Sequence, residues 1–341
     1  MDLLTIREKL QDYLLQELPG FRGPATLVQL TGGQSNPTFK LATEDHTYVV
    51  RCKPPGEILE SAHAVDREFR YLSALSTTAV PVPRVYLLCE DVEVIGCIFY
   101  IMDFVPGTVF RDPALPGLSP ECRQEVYGEM ARVLAVINEV DVVELGLVKS
   151  GTRSENPLLR QIRRWDKQYL AAKTEEIAEM QALATWLYDN LPEEPRGSRL
   201  VHGDFRMDNL IFCPERLCII SVLDWELAAA GEPFTDLAYQ VMQRYFHRDW
   251  PIPGLAGLDV GATGIPSQDE FIRQYLKQGA VQSIDNWPFY LALSFFRFAS
   301  ICQGVKYRAI QGNASGAEAF RVGEMVKPLA DMGMRAFQGT L

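Results

Sequence analysis

Apolar positions recur along this chain in two rhythms, one helical and one extended. Residues 3 to 18 carry Ile6, Leu10 and Leu14 one turn apart, which predicts an amphipathic helix ended by Pro19-Gly20. From 27 to 53 the pattern shifts to short apolar runs: strand, glycine-containing turn, strand, turn, strand. Thr31 to Lys40 supplies the turn and the start of the second strand, and Tyr48 to Lys53 is the third. Ser61 to Leu75 returns to helical spacing, with Val65, Glu68, Leu72 and Leu75 on one face. Val80 to Cys89 reads as an extended lead-in and a fourth strand, and Gly96 to Val105 as a fifth. Pro106-Gly107 then separates two parts of the chain. Beyond it the helical rhythm dominates. Ser119-Pro120-Glu121 is a helix start, and Val126, Met130, Leu134 and Ile137 give that helix a buried face. Residues 153 to 190 hold at least one more helix, and Leu191 to Ser198 is a polar connector. Residues 251 to 266, rich in Pro and Gly, read as a surface loop, and 268 to 341 as helices.

One extended segment interrupts the helices. Leu210 to Phe212 and Leu217 to Leu223 bracket a Cys-Pro-Glu-Arg turn, a hairpin signature. Polar residues crowd both of its ends: His202, Asp204, Arg206, Asp208 and Asn209 before it, Asp224 and Glu226 after it. A loop held by two buried strands is a good place for catalytic groups. Asp204 and Asn209 are five apart, and Asp224 follows fifteen later. In the protein-kinase template an Asp accepts a hydroxyl proton, an Asn five residues on holds metal, and a later Asp holds metal bridging the phosphates. Hard oxygen ligands of this kind suit Mg²⁺. A polar turn whose acids merely cap backbone donors explains any one of these residues. It does not explain His-Gly-Asp, Asp-Asn and Asp-Trp-Glu in this order.

Composition narrows the class. The 341 residues are 47% hydrophobic and 23% charged, which fits one large soluble enzyme or one domain with two lobes. The densest apolar run, Cys97 to Val105, is broken by Asp103 and falls short of a membrane span. No basic region followed by an apolar stretch opens the chain, so no secretory leader is read there. Seven cysteines without Cys-x-x-Cys spacing fit buried thiols in a reducing, cytoplasmic setting. Four scattered histidines argue against zinc, and a net charge of −11 argues against nucleic acid as substrate.

His202-Gly-Asp-Phe-Arg-Met-Asp-Asn209 and Leu223-Asp-Trp-Glu226 resemble the signature of the aminoglycoside phosphotransferase and choline kinase-like family. The resemblance runs from about residue 25 to about residue 310. It implies an α+β, protein-kinase-like, two-lobed fold. Residues 1–105 would be an antiparallel-sheet, nucleotide-binding lobe, and 106–341 a mainly helical catalytic and substrate-binding lobe. Carried over by position, Asp204 would be the catalytic base and Asn209 and Asp224 the metal ligands, with ATP and Mg²⁺ as cofactors. Gly32, Gly33 and Ser35 would let backbone N–H groups approach phosphate oxygens. Strand alternation puts Arg51 and Lys53 on the same face, so either could pair the α- and β-phosphates. Family members often read Val-Leu-Arg or Val-Leu-Lys there, which favours Arg51; Lys53 falls at the strand end. Glu68, a carboxylate on an apolar stripe, needs a cation and would find it in one of these two. Met102 to Val105, including Phe104, would be the hinge that reads the adenine edge. Gly231-Glu-Pro-Phe-Thr-Asp236 resembles the family's Gly-(Asp/Glu)-Pro-x-x-Asp segment, and Asp236 would brace the catalytic loop. His202 would support that loop.

The function implied is ATP- and Mg²⁺-dependent phosphoryl transfer to a hydroxyl of a small molecule. Rival readings are a non-catalytic nucleotide-binding regulatory module, an aminoglycoside antibiotic kinase and a protein kinase. Against the last, Trp225-Glu226 replaces Phe-Gly after Asp224, and no Ala-Pro-Glu follows. For the acceptor the basic residues are the guide. Arg153, Arg160, Arg163, Arg164 and Lys167 lie in one segment, Arg297, Lys306 and Arg308 in another. A solvated face is the default for the first group. Arg297 sits in an apolar turn, Phe295-Phe-Arg-Phe298, where an unpaired guanidinium is costly; an anionic substrate or an internal acid such as Asp236 would relieve it. Arg51-Cys-Lys-Pro-Pro-Gly56 and the Arg164-Trp165 pair are similar to the kinase-like domain attached to some acyl-CoA dehydrogenases. That resemblance implies a hydroxylated acyl-CoA thioester, or a related hydroxy acid, as acceptor.

Overall fold

The structure is a computed structural model that describes residues 2–30, 36–54, 65–148, 155–192, 199–279, 283–312 and 317–341. The chain forms two compact units. One joins Met1–Thr108 to Asn209–Ala228; the other joins Val109–Asp208 to Ala229–Leu341.

In the first unit, α1 (Leu3–Glu17) precedes β1 (Thr26–Gln29), β2 (Thr38–Ala42) and β3 (Thr47–Cys52). Then come α2 (Val65–Leu75), β4 (Val85–Cys89), α3 (Val92–Ile95) and β5 (Phe99–Asp103). The five strands make one antiparallel sheet in the order β1-β2-β3-β5-β4. The two faces of this sheet follow from strand alternation. Val50, Phe99 and Ile101 join Leu10 and Leu14 of α1 in a core on one face. Val49, Arg51, Tyr100 and Met102 point the other way, paired Val49 with Met102 and Arg51 with Tyr100. Asp2 starts α1 by accepting the Thr5 N–H at 3.0 Å, satisfying a donor the helix cannot. The stripe expected on α2 is present: Val65, Glu68, Leu72 and Leu75 are all buried. Residues 61 to 64 of the expected helix lie outside the described residues.

The second unit begins its helices with α4 (Pro120–Asn138), capped by the Ser119 hydroxyl, which accepts the Cys122 N–H at 3.3 Å. Its expected face of Val126, Met130, Leu134 and Ile137 is fully buried. The 153–190 region forms two helices, α5 (Pro157–Ala172) and α6 (Ala178–Asp189). The strand β6 (Arg199–Val201) follows.

The hairpin β7 (Leu210–Phe212) and β8 (Ile219–Val222) belongs to the first unit. Its second strand starts later than the apolar run predicts. Leu217 takes a left-handed conformation (φ 50°) in the turn, where its N–H donates to the Cys213 carbonyl. Two contacts tie the hairpin into its unit: Val222 N–H donates to the Pro81 carbonyl, and Thr108 and Phe212 exchange backbone hydrogen bonds. Gly107 allows the second of these. A Cβ there would lie 2.4 Å from Ile211 Cγ2 and 2.7 Å from the Phe212 carbonyl oxygen.

Back in the second unit, β9 (Ala229–Gly231) pairs with β6, a pairing that no apolar run announces. Then come α7 (Phe234–Met242), α8 (Val260–Thr263), α9 (Gln268–Gln278), α10 (Trp287–Ile310), α11 (Ala317–Glu324) and α12 (Val326–Gln338). The α8 turn falls inside the segment expected to be a loop, where Leu255 and Ile265 are buried anchors. α10 is the axis of the unit, packed by α5, α6, α7, α11 and α12. Phe295, Phe296 and Phe298 on it are buried, each contributing about 1.5–3 kcal/mol. Among the described residues no helix is long and apolar enough to cross a membrane.

Candidate active site

Within the first unit, three charged side chains meet. Arg51 leaves β3 on the face opposite the α1 core, with Glu68 of α2 beside it: Arg51 Nε lies 2.7 Å from Glu68 Oε2. Arg51 Nη2 donates to Asp224 Oδ1 at 2.6 Å, from the residue just beyond the hairpin. The Arg51 side chain is only 12% exposed and that of Glu68 2%. Burial opposes charge on Arg51, but Glu68 and Asp224 outweigh it and hold the guanidinium more firmly protonated than usual. Burial also raises Glu68, helped by Asp224 and opposed by Arg51 and by the Trp225 N–H that donates to it. Lys53 lies past the end of β3, and it is Arg51 that pairs with Glu68.

Asp224 is held in a left-handed conformation (φ 65°) that costs most residues about 1–2 kcal/mol and that Asp tolerates better. Its two C-terminal neighbours anchor it there. The buried Trp225 indole donates to the Val222 carbonyl at 2.9 Å, and Asn36 Nδ2 donates to Glu226 at 3.3 Å. Asn209 lies across the hairpin, its carbonyl accepting the Leu223 N–H at 2.8 Å. One hairpin thus fixes both expected metal ligands.

The sheet face bearing Arg51 also lines a pocket of roughly 600 Å³. Val49, Met102, Phe104, Ile211 and Leu223 give it apolar walls; Arg51, Glu68 and Asp224 give it one charged region. Met102 and Phe104, both expected here, are present. The Phe104 N–H is already given to the Thr47 carbonyl at 3.1 Å, so Phe104 offers its ring and not its amide. Gly32, Gly33 and Ser35 lie outside the described residues.

Within the second unit, the turn His202-Gly203-Asp204 is held from several sides. Gly203 has φ 85°, a conformation that favours glycine. The fully buried Asp236, from α7, accepts the His202 N–H at 2.6 Å and the Gly203 N–H at 2.8 Å. Asn138 Nδ2 donates to the same carboxylate at 3.3 Å. Burial raises Asp236, against the pull of these N–H groups and of Arg297. His202 Nδ1 accepts the Asp204 N–H at 3.1 Å, which places the ring proton on Nε2. The imidazole thus accepts a hydrogen bond from the loop's own backbone.

Asp204 itself is hemmed by donors. Burial works against its charge, but Arg206, Arg297 and the Tyr239 hydroxyl bring the carboxyl below its ordinary 3.8. Arg206 Nε lies 3.4 Å from Asp204 Oδ1, and Arg206 Nη2 3.0 Å from Asp208 Oδ2. Tyr239 was not singled out from sequence, and Arg206 was named there only as one of the polar residues before the hairpin. Tyr239 could have been, since it sits three residues after Asp236 and so shares its face of α7.

These groups fit a nucleotide with Mg²⁺. The pocket is an apolar slot with a cation at its charged region, and Asn209 and Asp224 are hard oxygen donors. Among the described residues no three His, Cys, Asp or Glu side chains are gathered to hold a metal alone. Mg²⁺ in such sites takes one or two protein ligands and completes its shell with phosphates and water.

Known proteins resemble this chain over most of its length. The profile of the phosphotransferase enzyme family, APH, matches residues 26–277. Mouse (Mus musculus) acyl-CoA dehydrogenase family member 10 is 44% identical over 328 residues, covering 94% of this chain. The chain spans only 30% of that protein's length. A crystal structure of a Ralstonia eutropha JMP134 protein, named for the aminoglycoside phosphotransferases, is 42% identical with a TM-score of 0.87. The match covers 97% of this chain and 98% of that one. A thermostable mutant of aminoglycoside phosphotransferase APH(4)-Ia, in ternary complex with ADP and hygromycin B, shares the fold at 16% identity and a TM-score of 0.66. That match covers 96% of this chain and 98% of the other. The chain belongs to the APH phosphotransferase enzyme family and has its kinase-like fold.

Proposed function

We propose that this chain transfers the γ-phosphoryl group of ATP to a hydroxyl of a small anionic molecule, a hydroxy acid or hydroxyacyl-CoA. One observation carries the phosphotransferase part. The Arg51–Glu68–Asp224 set sits at the charged region of an apolar pocket, as a phosphate-gripping cation and a metal-holding acid require. Arg51 pairs the phosphates, and Glu68 keeps it oriented. Val49, Met102 and the Phe104 ring sandwich the base. Asn209 and Asp224 hold Mg²⁺, which when bound neutralises charge developing on the phosphates. Asp204, kept ionised, orients the acceptor hydroxyl and takes its proton.

Arg297 is turned inward onto the Gly203 carbonyl, Lys306 pairs with Glu175, and Arg163 with Glu155. Arg153 lies outside the described residues. Arg164, Lys167 and Arg308 are each exposed, and the relative named for acyl-CoA dehydrogenases supports an acyl-CoA-like acceptor. ATP turnover in the presence of 3-hydroxybutyrate, 3-hydroxybutyryl-CoA or kanamycin tests this. The anions are expected to stimulate turnover more than the amine. Efficient phosphorylation of kanamycin with no response to the anions would overturn the acceptor class.

The metal assignment has its own test. Asp224→Ala is expected to remove most of the Mg²⁺ dependence of ATP affinity, read by calorimetry with and without the ion. Unchanged metal dependence in the variant would mean that another group holds the metal.

A further inference from the structure

We infer that Arg297, clasped between the rings of Trp165 and Tyr239, is a positioning residue that sets the His202-Gly203-Asp204 turn for catalysis. The inference rests on the reading of Asp204 as the base. Arg297 comes from the middle of α10 and is 5% exposed. Its Nη2 donates to the Gly203 carbonyl, one residue before Asp204. Its guanidinium carbon lies 5.1 Å from the Trp165 ring centroid and 4.5 Å from that of Tyr239. Both rings are buried, at 4% and 2% exposure.

A buried guanidinium is expensive unless something compensates it, and one carbonyl does not. Two aromatic faces compensate part, through cation–π attraction that is strongest where water is excluded. Asp204 and Asp236 both feel the charge of Arg297, whose buried Nε makes no hydrogen bond among the described residues. Through Nη2 the cation is committed to the turn. Three residues then divide the turn among them. Asp236 takes its N–H groups, Arg297 its reversed Gly203 carbonyl, and the Tyr239 hydroxyl the Asp204 carboxylate. Tyr239 does double duty, with its ring on Arg297 and its hydroxyl on Asp204. This also gives Trp165 a role. It is the second wall of the guanidinium slot, which a planar cation fills and an ammonium fills less well.

The test compares Arg297→Met, Arg297→Lys, Tyr239→Phe and Asp204→Asn with the parent chain. ATP and Mg²⁺ are the only substrates, so acceptor-free hydrolysis is read, with ATP affinity by calorimetry and the rate followed across pH. Arg297→Met is expected to lower kcat at least tenfold with KM for ATP within twofold, and Arg297→Lys to recover part of the loss. Tyr239→Phe, close to isosteric, is expected to keep ATP affinity and to move the acid limb of the rate to higher pH. The charged and titratable groups facing Asp204 are Arg206 and His202 of its own loop, Tyr239 of α7 and Arg297 of α10. Removing the Tyr239 hydroxyl leaves the other three in place. Parent-like kcat and acid limb in both Arg297→Met and Tyr239→Phe, beside an inactive Asp204→Asn, would overturn this inference alone. Loss of ATP affinity in step with kcat would also overturn it, marking a general packing role. An active Asp204→Asn would instead overturn the reading of the base.

Discussion

Asp204→Asn is expected to lower phosphoryl transfer by roughly 10²–10⁴-fold, the usual contribution of a positioned proton acceptor, while leaving ATP affinity within about threefold. The two effects separate because Asp204 and the Arg51–Glu68–Asp224 set lie in different units of the chain. The carboxylate is the competent form, and the structure holds it below the ordinary Asp value of 3.8. Activity that depends on its charge is then present above that lowered value and lost as pH falls through it. Stability has the same sign: a carboxyl lowered in the folded state stabilises the fold above the unfolded value, and that share disappears on acidification. Steady-state rates of the purified variant, with ATP binding by calorimetry, check both halves. Turnover within threefold of the parent would remove Asp204 from the mechanism.

The largest effect on stability should come from Asp236→Ala. The side chain is fully buried and accepts two backbone N–H groups and one side-chain amide. Truncation would strand three buried donors, each worth about 1–3 kcal/mol when left unsatisfied. Some relaxation is certain, so a net loss of roughly 3–5 kcal/mol is expected. For a chain of this size that corresponds to about 4–7 °C in Tm. Because the stranded donors belong to His202 and Gly203, kcat should fall with stability while ATP affinity in the first unit is less affected. Differential scanning calorimetry beside a turnover assay decides it. An unchanged Tm would show that the turn holds its shape without the carboxylate.

Much of this was readable from residue order, for reasons that differ by element. Helices α1 and α2 of the first unit announce themselves through a buried stripe each, and Glu68 stood out as the one acid on its stripe, whereas the four-residue α3 was too short to register. The Asp236 brace was legible through a local motif. Arg297 was legible as a problem, a cation in a phenylalanine turn, and the structure turns it onto the Gly203 carbonyl, a partner that neither expected solution named. The roles of Tyr239 and Trp165 around that cation were silent, because aromatic residues on buried helical faces look like ordinary core. The pairing of β6 with β9 was silent as well: three-residue strands such as Ala229–Gly231 carry too little pattern to register.

The return of Asn209–Ala228 to the first unit has a consequence for synthesis on the ribosome. The sheet of residues 26 to 103 emerges early, but the Trp225 N–H that meets Glu68 and the Asp224 carboxylate that meets Arg51 do not. Until residue 228 has left the exit tunnel, a nascent chain carries a buried-type Arg–Glu pair and an apolar slot with one wall missing. That wall includes Ile211 and Leu223. A fragment stopped at Thr108 would therefore carry the same exposed apolar surface permanently, making it a client for chaperones rather than a self-sufficient nucleotide-binding module.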